Sequence, residues 1–366
     1  MHPLFSYLHI PFCRQKCLYC KFALTPEFDD LRVRTYIDAL KREIMEFFRN
    51  LPDKGSAGGL QSIYFGGGTP SILSGGQIGE ILDIFRQTRP VSSKETSLRE
   101  TEITLEANPE DITREYVDTL STLGVNRLSL GVQTLNSESL RAVGRAELND
   151  SILRALDILE ESPIANISVD LIAGLPHTRP GQMMEDLEEI FAHVSPKHVS
   201  IYMLEDEVYP ESWRTALPTE EMIQNEYLSG VKWLEDHGFH RYELSNFALP
   251  GYESRHNRAY WDHSEYRGFG LSAASFIGGR RFANSSSFAG YFRGEVVDDG
   301  CLDEEALRIE RMMFGLRTQG VHVSDIQRQD ILQKFVSDGL LKIREKKILP
   351  TSTGIFLIDY IMGELL

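Results

Sequence analysis

Apolar residues in the first 240 positions recur in one rhythm. A short apolar or alternating run is followed by a polar or glycine-rich loop, and then by a longer stretch with apolar residues at helical spacing. Ser6–Ile10 is the first run and leads, through a loop, to a helix predicted over Val33–Phe48. The unit returns as "SIYF" (62–65) before "GGQIGEILDIFRQ", "EITLEAN" (102–108) before "TREYVDTLSTLG", and "RLSLGVQ" (127–133) before "SESLRAVG" and "DSILRALDILEE". "NISVDLIAGLP" (166–176) before "PGQMMEDLEEIFAHV" and "HVSIYML" (198–204) before "TEEMIQNEYLSGVKWLEDHG" complete the series. Strands alternating with helices specify a parallel sheet with right-handed crossovers. Six units fall short of the eight that close a TIM barrel. The expected class is therefore α/β, with a partial (β/α)6 TIM-like barrel over residues 1–240 and a doubly wound open sheet as the alternative. In both, a ligand sits in the loops at the carboxyl ends of the strands.

From about Glu243 the rhythm gives way to aromatic and glycine-rich sequence that includes "HNRAYW" (256–261), so 241–300 is expected to be an irregular extension. From 301 to 366 the pattern reads helix, helix, two short strands around "REKK" and a last helix, which predicts a small C-terminal winged-helix-like domain. "VSSKETSLRETE" (91–102) reads as an exposed loop. At 366 residues the chain buries a large core, and its net charge of -16 repels phosphate backbones, which argues against a nucleic-acid partner even with a winged helix present. No apolar run is long enough for a transmembrane segment and the amino terminus lacks the pattern of a signal peptide, so a cytoplasmic location is expected.

That location changes how the cysteines are read. Cys13, Cys17 and Cys20 lie within one loop at C-x3-C-x2-C spacing, and in a reducing compartment such a group binds metal or does redox chemistry rather than forming a disulfide. Zinc needs a fourth ligand, for which His9 is the nearest candidate. A [4Fe-4S] cluster held by three thiolates leaves one iron open. Cys301, remote in sequence, is an ordinary thiol.

Other strand ends carry residues suited to a ligand. The glycines of "FGGGTPS" permit close backbone approach. Glu106 alternates with the apolar Ile103, Leu105 and Ala107, and a carboxylate there suits a ribose diol. Gln133 ends the fourth strand, Arg145 follows it, and Asp170 sits inside an apolar run, where it needs a partner; a neighbouring arginine is the structural alternative.

The cysteine motif after a first strand, with Tyr19 just before the last cysteine, resembles the signature of the radical S-adenosylmethionine (SAM) superfamily. The resemblance implies that S-adenosyl-L-methionine chelates the open iron and that the reduced cluster can cleave it to a 5′-deoxyadenosyl radical. "YLHIPFC", "GGGTPS", "LEANPE", "SLGVQTLN", "VDLIAGLP", "YELSNFA", "HNRAYW" and "MMFGLRTQGV" are similar to the branch that holds the oxygen-independent coproporphyrinogen III dehydrogenases and the HemW-type heme chaperones. It implies Cys13, Cys17 and Cys20 as cluster ligands and Tyr7, Tyr19, Gly67, Gly68, Thr69, Glu106, Gln133, Arg145 and Asp170 as SAM contacts.

Two features separate the members of that branch. The dehydrogenases carry a long extension before the cluster and a further cysteine two residues after the third ligand; here twelve residues precede Cys13 and Phe22 holds that position. The resemblance thus implies a chaperone that binds heme and passes it to an acceptor protein, with decarboxylation of coproporphyrinogen III as the enzymatic alternative. His256, in the H-N-x-x-Y-W stretch, is the candidate heme ligand, while Arg255, Arg258 and Arg267 suit propionates under either reading.

Overall fold

The computed structural model describes residues 4–50, 59–88, 98–145, 149–204 and 209–366. Six βα units open the chain: β1 (Leu4–Ile10), α1 (Asp30–Asn50), β2 (Leu60–Gly67), α2 (Gly75–Thr88), β3 (Glu102–Ala107), α3 (Arg114–Thr122), β4 (Arg127–Gln133), α4 (Ser137–Ala142), α5 (Asn149–Glu160), β5 (Asn166–Ala173), α6 (Gln182–His193), β6 (His198–Met203) and α7 (Glu220–Asp236). Strands β1 to β6 are parallel neighbours in sequence order. The expected partial barrel is the framework found. Residues 91–97 of the expected exposed loop lie outside the described residues.

Alternation along each strand divides the sheet into two different faces. Ile63, Phe65, Ile103, Leu105, Leu128, Leu130, Val169 and Leu171 are wholly buried in the main core, where α1 meets them with Val33, Tyr36, Ile37, Leu40 and Ile44 at helical spacing. The opposite, inner face is polar yet also enclosed: Ser62, Thr104, Ser129, Ser168, His198 and Ser200 are all buried. Register places Glu106 beside Ser129 and Asp170 beside Ser200. Ser62 bonds His256, Ser168 bonds His198, and Ser129 and Ser200 bond Asp170, while the Thr104 hydroxyl has no partner among the described residues, so the inner face is largely a polar network rather than a packed apolar core.

The segment expected to be irregular is largely structured and belongs to the same sheet. It supplies β7 (His240–Arg241), β8 (Asn246–Ala248), α8 (Arg255–Trp261), β9 (Tyr266–Phe269), β10 (Ala274–Ile277), β11 (Arg280–Asn284), α9 (Phe288–Phe292) and β12 (Val296–Cys301). β9 pairs in parallel with β1, β10 to β12 extend that side in antiparallel fashion, and β8 and β7 extend the other side beyond β6. The twelve-stranded sheet stays open, ending at β12 and β7 among the described residues. These strands are only two to six residues long, too short for a period of two to register in the sequence.

The last block contains α10 (Glu304–Arg317), β13 (Val321–His322), α11 (Gln329–Ser337), β14 (Leu341–Arg344), β15 (Lys347–Pro350) and α12 (Ile358–Leu365), with a three-stranded sheet in the order β13-β15-β14. It has its own core of Met312, Leu316, Leu332, Phe335, Ile348 and Ile361. It docks on the rest of the protein through Trp261 against Phe314 (ring centroids 5.5 Å apart), Tyr227 against Phe356 (5.7 Å) and an Arg281–Glu310 ion pair. No helix among the described residues is long and apolar enough to cross a membrane.

Candidate functional site

The cysteine loop leaves the carboxyl end of β1 and is fastened on three sides. At its base the Cys13 amide donates to Thr25 O (3.2 Å) and the Thr25 amide to Pro11 O (2.7 Å). At its tip the Leu18 amide donates to Val143 O (3.0 Å) beyond α4, while Arg14 pairs with Glu110 (3.1 Å) and Asp111 after β3. Cys13 is buried, and Cys17 and Cys20 are half-buried, joined by a turn in which the Cys20 amide donates to Cys17 O (3.0 Å). Burial pushes the Cys17 thiol up to about 11, opposed by the Arg145 guanidinium and the Tyr19 hydroxyl, with Cys13 and Cys20 adding to the rise. Three thiols that feel one another's charge, with a cation beside them, are a donor set suited to a cluster whose irons draw the protons off.

No three His, Cys, Asp or Glu side chains among the described residues gather closely enough to hold a single metal ion. His9, the candidate fourth zinc ligand, is occupied: Nε2 bonds Ala23 O (2.6 Å) and Nδ1 bonds the Tyr7 hydroxyl (3.2 Å). Its ring braces the loop instead of facing a metal.

A chain of polar contacts encircles the thiols. The Thr69 hydroxyl donates to Cys13 Sγ (3.0 Å), Asn108 Nδ2 donates to Thr69 Oγ1 (3.4 Å), and Arg145 Nη2 donates to Asn108 Oδ1 (3.2 Å). Arg145 also bonds the Tyr19 hydroxyl, which bonds the Cys17 thiol. Loops after β1, β2, β3 and β4 are thus tied together around two of the cysteines. Asn108 is the member that sequence reading missed, although it stands in the quoted "LEANPE", one residue beyond β3.

The glycines of the β2 loop fit against protein. The Gly68 amide donates to Ile10 O (2.8 Å), and a Cβ at this position would stand 2.5 Å from Phe12 O and 2.9 Å from Ile10 O. Gly67, at φ 110°, would bring a Cβ within 2.7 Å of the His9 ring. Their smallness lets the β2 loop lie flat on the start of the cysteine loop.

Two carboxyl groups stand on the inner face below the loops. Glu106 accepts from the Tyr64 hydroxyl (2.8 Å) and the Gly67 amide (3.3 Å); burial pushes its carboxyl up to about 7, and the charge of Asp170 adds to the shift. Asp170 accepts from Ser200 (2.7 Å) and Ser129 (2.9 Å), and burial raises it as well. Its hydrogen-bond partners are hydroxyls, with the buried Arg127 contributing charge alone. Tyr7 stacks on Tyr64 at 6.1 Å between centroids. Gln133 ends β4 in a left-handed conformation, φ 70°, where the register with β5 breaks, the kind of backbone outlier that collects at ligand sites.

Two expectations about a heme side change. His256 is buried at 2% exposure with both ring nitrogens engaged, Nδ1 with Ser62 Oγ (2.7 Å) and Nε2 with the Tyr260 hydroxyl (2.9 Å), so neither is presented to an iron. Arg267 is committed to Glu43 at 2.6 Å and to Ser275 at 2.8 Å, which removes it from propionate binding. Arg255 donates to Glu100 O (2.8 Å), and Arg258 is exposed on α8.

A family model described as Radical SAM superfamily matches residues 7–193, a span that contains all three cysteines, both carboxyl groups and the ring of contacts around Asn108. The heme chaperone HemW of Lactococcus lactis is 32% identical over 95% of this chain and 91% of its own length. That of Bacillus subtilis is 31% identical over 99% and 98%, and that of Synechocystis 33% over 92% and 85%. Among solved structures, coproporphyrinogen III oxidase (HemN) from Escherichia coli shares the fold, with TM-score 0.82 and 24% identity over 99% of this chain and 89% of that one. The chain belongs to the radical SAM superfamily and, within it, to the HemW family.

Proposed function

We propose that this protein is a heme chaperone that binds heme, carries a SAM-liganded [4Fe-4S] cluster on Cys13, Cys17 and Cys20, and passes heme to an acceptor protein. The observation behind this reading is a three-cysteine loop that ends at Phe22, 60% exposed, in a chain similar over its whole length to proteins named heme chaperones. The cluster with SAM on its open iron supplies one-electron chemistry when bound. The protein's own groups do the holding. Thr69 and Tyr19 donate toward the sulfurs, and Arg145 sets a positive charge beside thiolates that must form in a half-buried loop. Tyr7, Gly67, Gly68, Glu106, Gln133 and Asp170 line the strand ends where the amino acid, ribose and base of SAM would lie, and Glu106 would meet the ribose diol as an acceptor once ionised. The cysteines must stay reduced, which fits the cytoplasm. Heme and a protein acceptor are the partners, without nucleic acid, in keeping with the acid excess.

The test offers anaerobically reconstituted protein, SAM and reductant either heme or coproporphyrinogen III. Stoichiometric heme binding with no porphyrin product is expected; turnover to protoporphyrinogen IX would establish the dehydrogenase instead.

A further inference from the structure

The "HNRAYW" segment has a place in the fold that nothing in its sequence announces. It forms α8, a short helix lying on the inner face of the sheet against β1 and β2. Its first turn is pinned by Glu102 at the start of β3, whose carboxylate accepts the amides of Arg255 (2.9 Å) and His256 (3.1 Å) and the Ser254 hydroxyl (3.3 Å). Ser254 in turn caps the helix by accepting the Asn257 amide (3.2 Å). The result is a fixed position for one side chain. His256 projects onto the rings of Tyr64, at 5.0 Å and 26°, and Tyr7, at 6.2 Å and 28°, with Tyr260 edge-on at 5.0 Å.

Burial pushes the imidazole down to about 3, aided by the charge of Arg127, so the ring is neutral. Ser62 and Tyr260 can each donate or accept, and either tautomer is satisfied by them. A flat neutral ring stacked under Tyr64 restricts that phenol to one plane. Its hydroxyl then lies 2.8 Å from Glu106 Oε1.

We infer that His256 is a positioning residue for the SAM pocket: it fixes Tyr64 from below, and Tyr64 aims the Glu106 carboxylate. The inference deepens the proposed function, since it rests on reading Glu106 as a SAM contact, and it assigns the histidine of this segment to the SAM side of the protein instead of to heme iron.

The experiment measures SAM affinity by equilibrium dialysis and heme binding by Soret titration on anaerobically reconstituted full-length protein. Glu106→Gln tests the underlying reading by itself: unchanged SAM affinity there would remove Glu106, and the role for His256 with it. Given a loss in that variant, Tyr64→Phe deletes the hydroxyl that aims the carboxylate and keeps the stack. It is expected to weaken SAM roughly tenfold, the scale of one hydrogen bond to a charged group. His256→Ala is expected to weaken SAM about as much, and His256→Gln, which can still bridge Ser62 and Tyr260, to recover most of the affinity. Because both changes act through one contact, the His256→Ala/Tyr64→Phe double variant is expected to be little worse than either single one. All four His256 and Tyr64 variants keep the wild-type Soret band and heme affinity. Multiplying losses in the double variant would overturn the inference, as would a His256→Gln protein that binds SAM normally but has lost the Soret band. Should His256→Ala fail to fold, Ser62→Ala, which frees one edge of the ring, and Tyr64→Phe carry the same comparison.

Discussion

Glu106 holds its proton to about pH 7 because burial disfavours the ion more than Tyr64 and Gly67 favour it. An unfolded chain releases that proton near the ordinary carboxylate value. The folded pKa is raised, so the stabilising contribution is complete below about 4.5 and is lost as pH climbs through about 7. In the apo protein Glu106→Gln should therefore match the wild type at pH 4 and be more stable at pH 8 by on the order of 3 kcal/mol, read as a pH-dependent difference in urea midpoints. His256 has the opposite sign. Its folded pKa is lowered to about 3, so its contribution is complete above about 6.5 and is lost as pH falls toward 3. His256→Gln should flatten that acid limb; identical acid profiles in the two proteins would mean that the ring is protonated where it sits. The three cysteines were legible in the sequence because their spacing is local. Asn108 and Tyr64 were not, since the first works by touching Thr69 and Arg145 from other loops and the second by stacking on a residue nearly two hundred positions later.

Among the elements, β1 to β6 and their helices could be read to within a few residues because one face of each strand is continuously apolar under amphipathic helices. β7 to β12 could not, since strands of two to six residues take their structure from their neighbours in the sheet rather than from their own pattern. Nor does a sequence reveal which loop a glycine touches. At Gly68 the neighbours are backbone carbonyls of the cysteine loop, which cannot rotate aside as a side chain would. Gly68→Ala should then push the β2 loop off the Cys13 segment and weaken the Thr69 to Cys13 contact along with the Gly68 to Ile10 bond. The expected cost is on the order of 2 kcal/mol, with substoichiometric iron after reconstitution. Gly181→Ala serves as the comparison, because Gly181 has nothing within 4 Å of a Cβ although its φ of 84° carries some backbone strain. That protein should load iron fully, and equal iron loss in both would show that the close approach at Gly68 is dispensable.

The whole molecule couples two cores through a mixed interface. Leu244 packs on both cores, Phe314 of α10 meets Trp261 at the end of α8, and Glu310 faces Arg281 and, at 3.6 Å, His263. α8 therefore has one end in the polar inner face, at His256, and the other against α10. Unfolding residues 304–366 would expose Trp261 and is expected to loosen the helix that braces Tyr64. The wild type is expected to unfold in one calorimetric transition. A Glu310→Ala/Phe314→Ala protein removes the Arg281 ion pair and the Trp261 contact together and leaves Tyr227 against Phe356, and its last block should melt first, in a separate step at lower temperature. SAM affinity should fall with that first step rather than with the second, because α8 loses its outer support before the barrel opens. Two transitions already resolved in the wild type, with SAM affinity indifferent to the first, would show that α8 is held by Glu102 and the sheet alone.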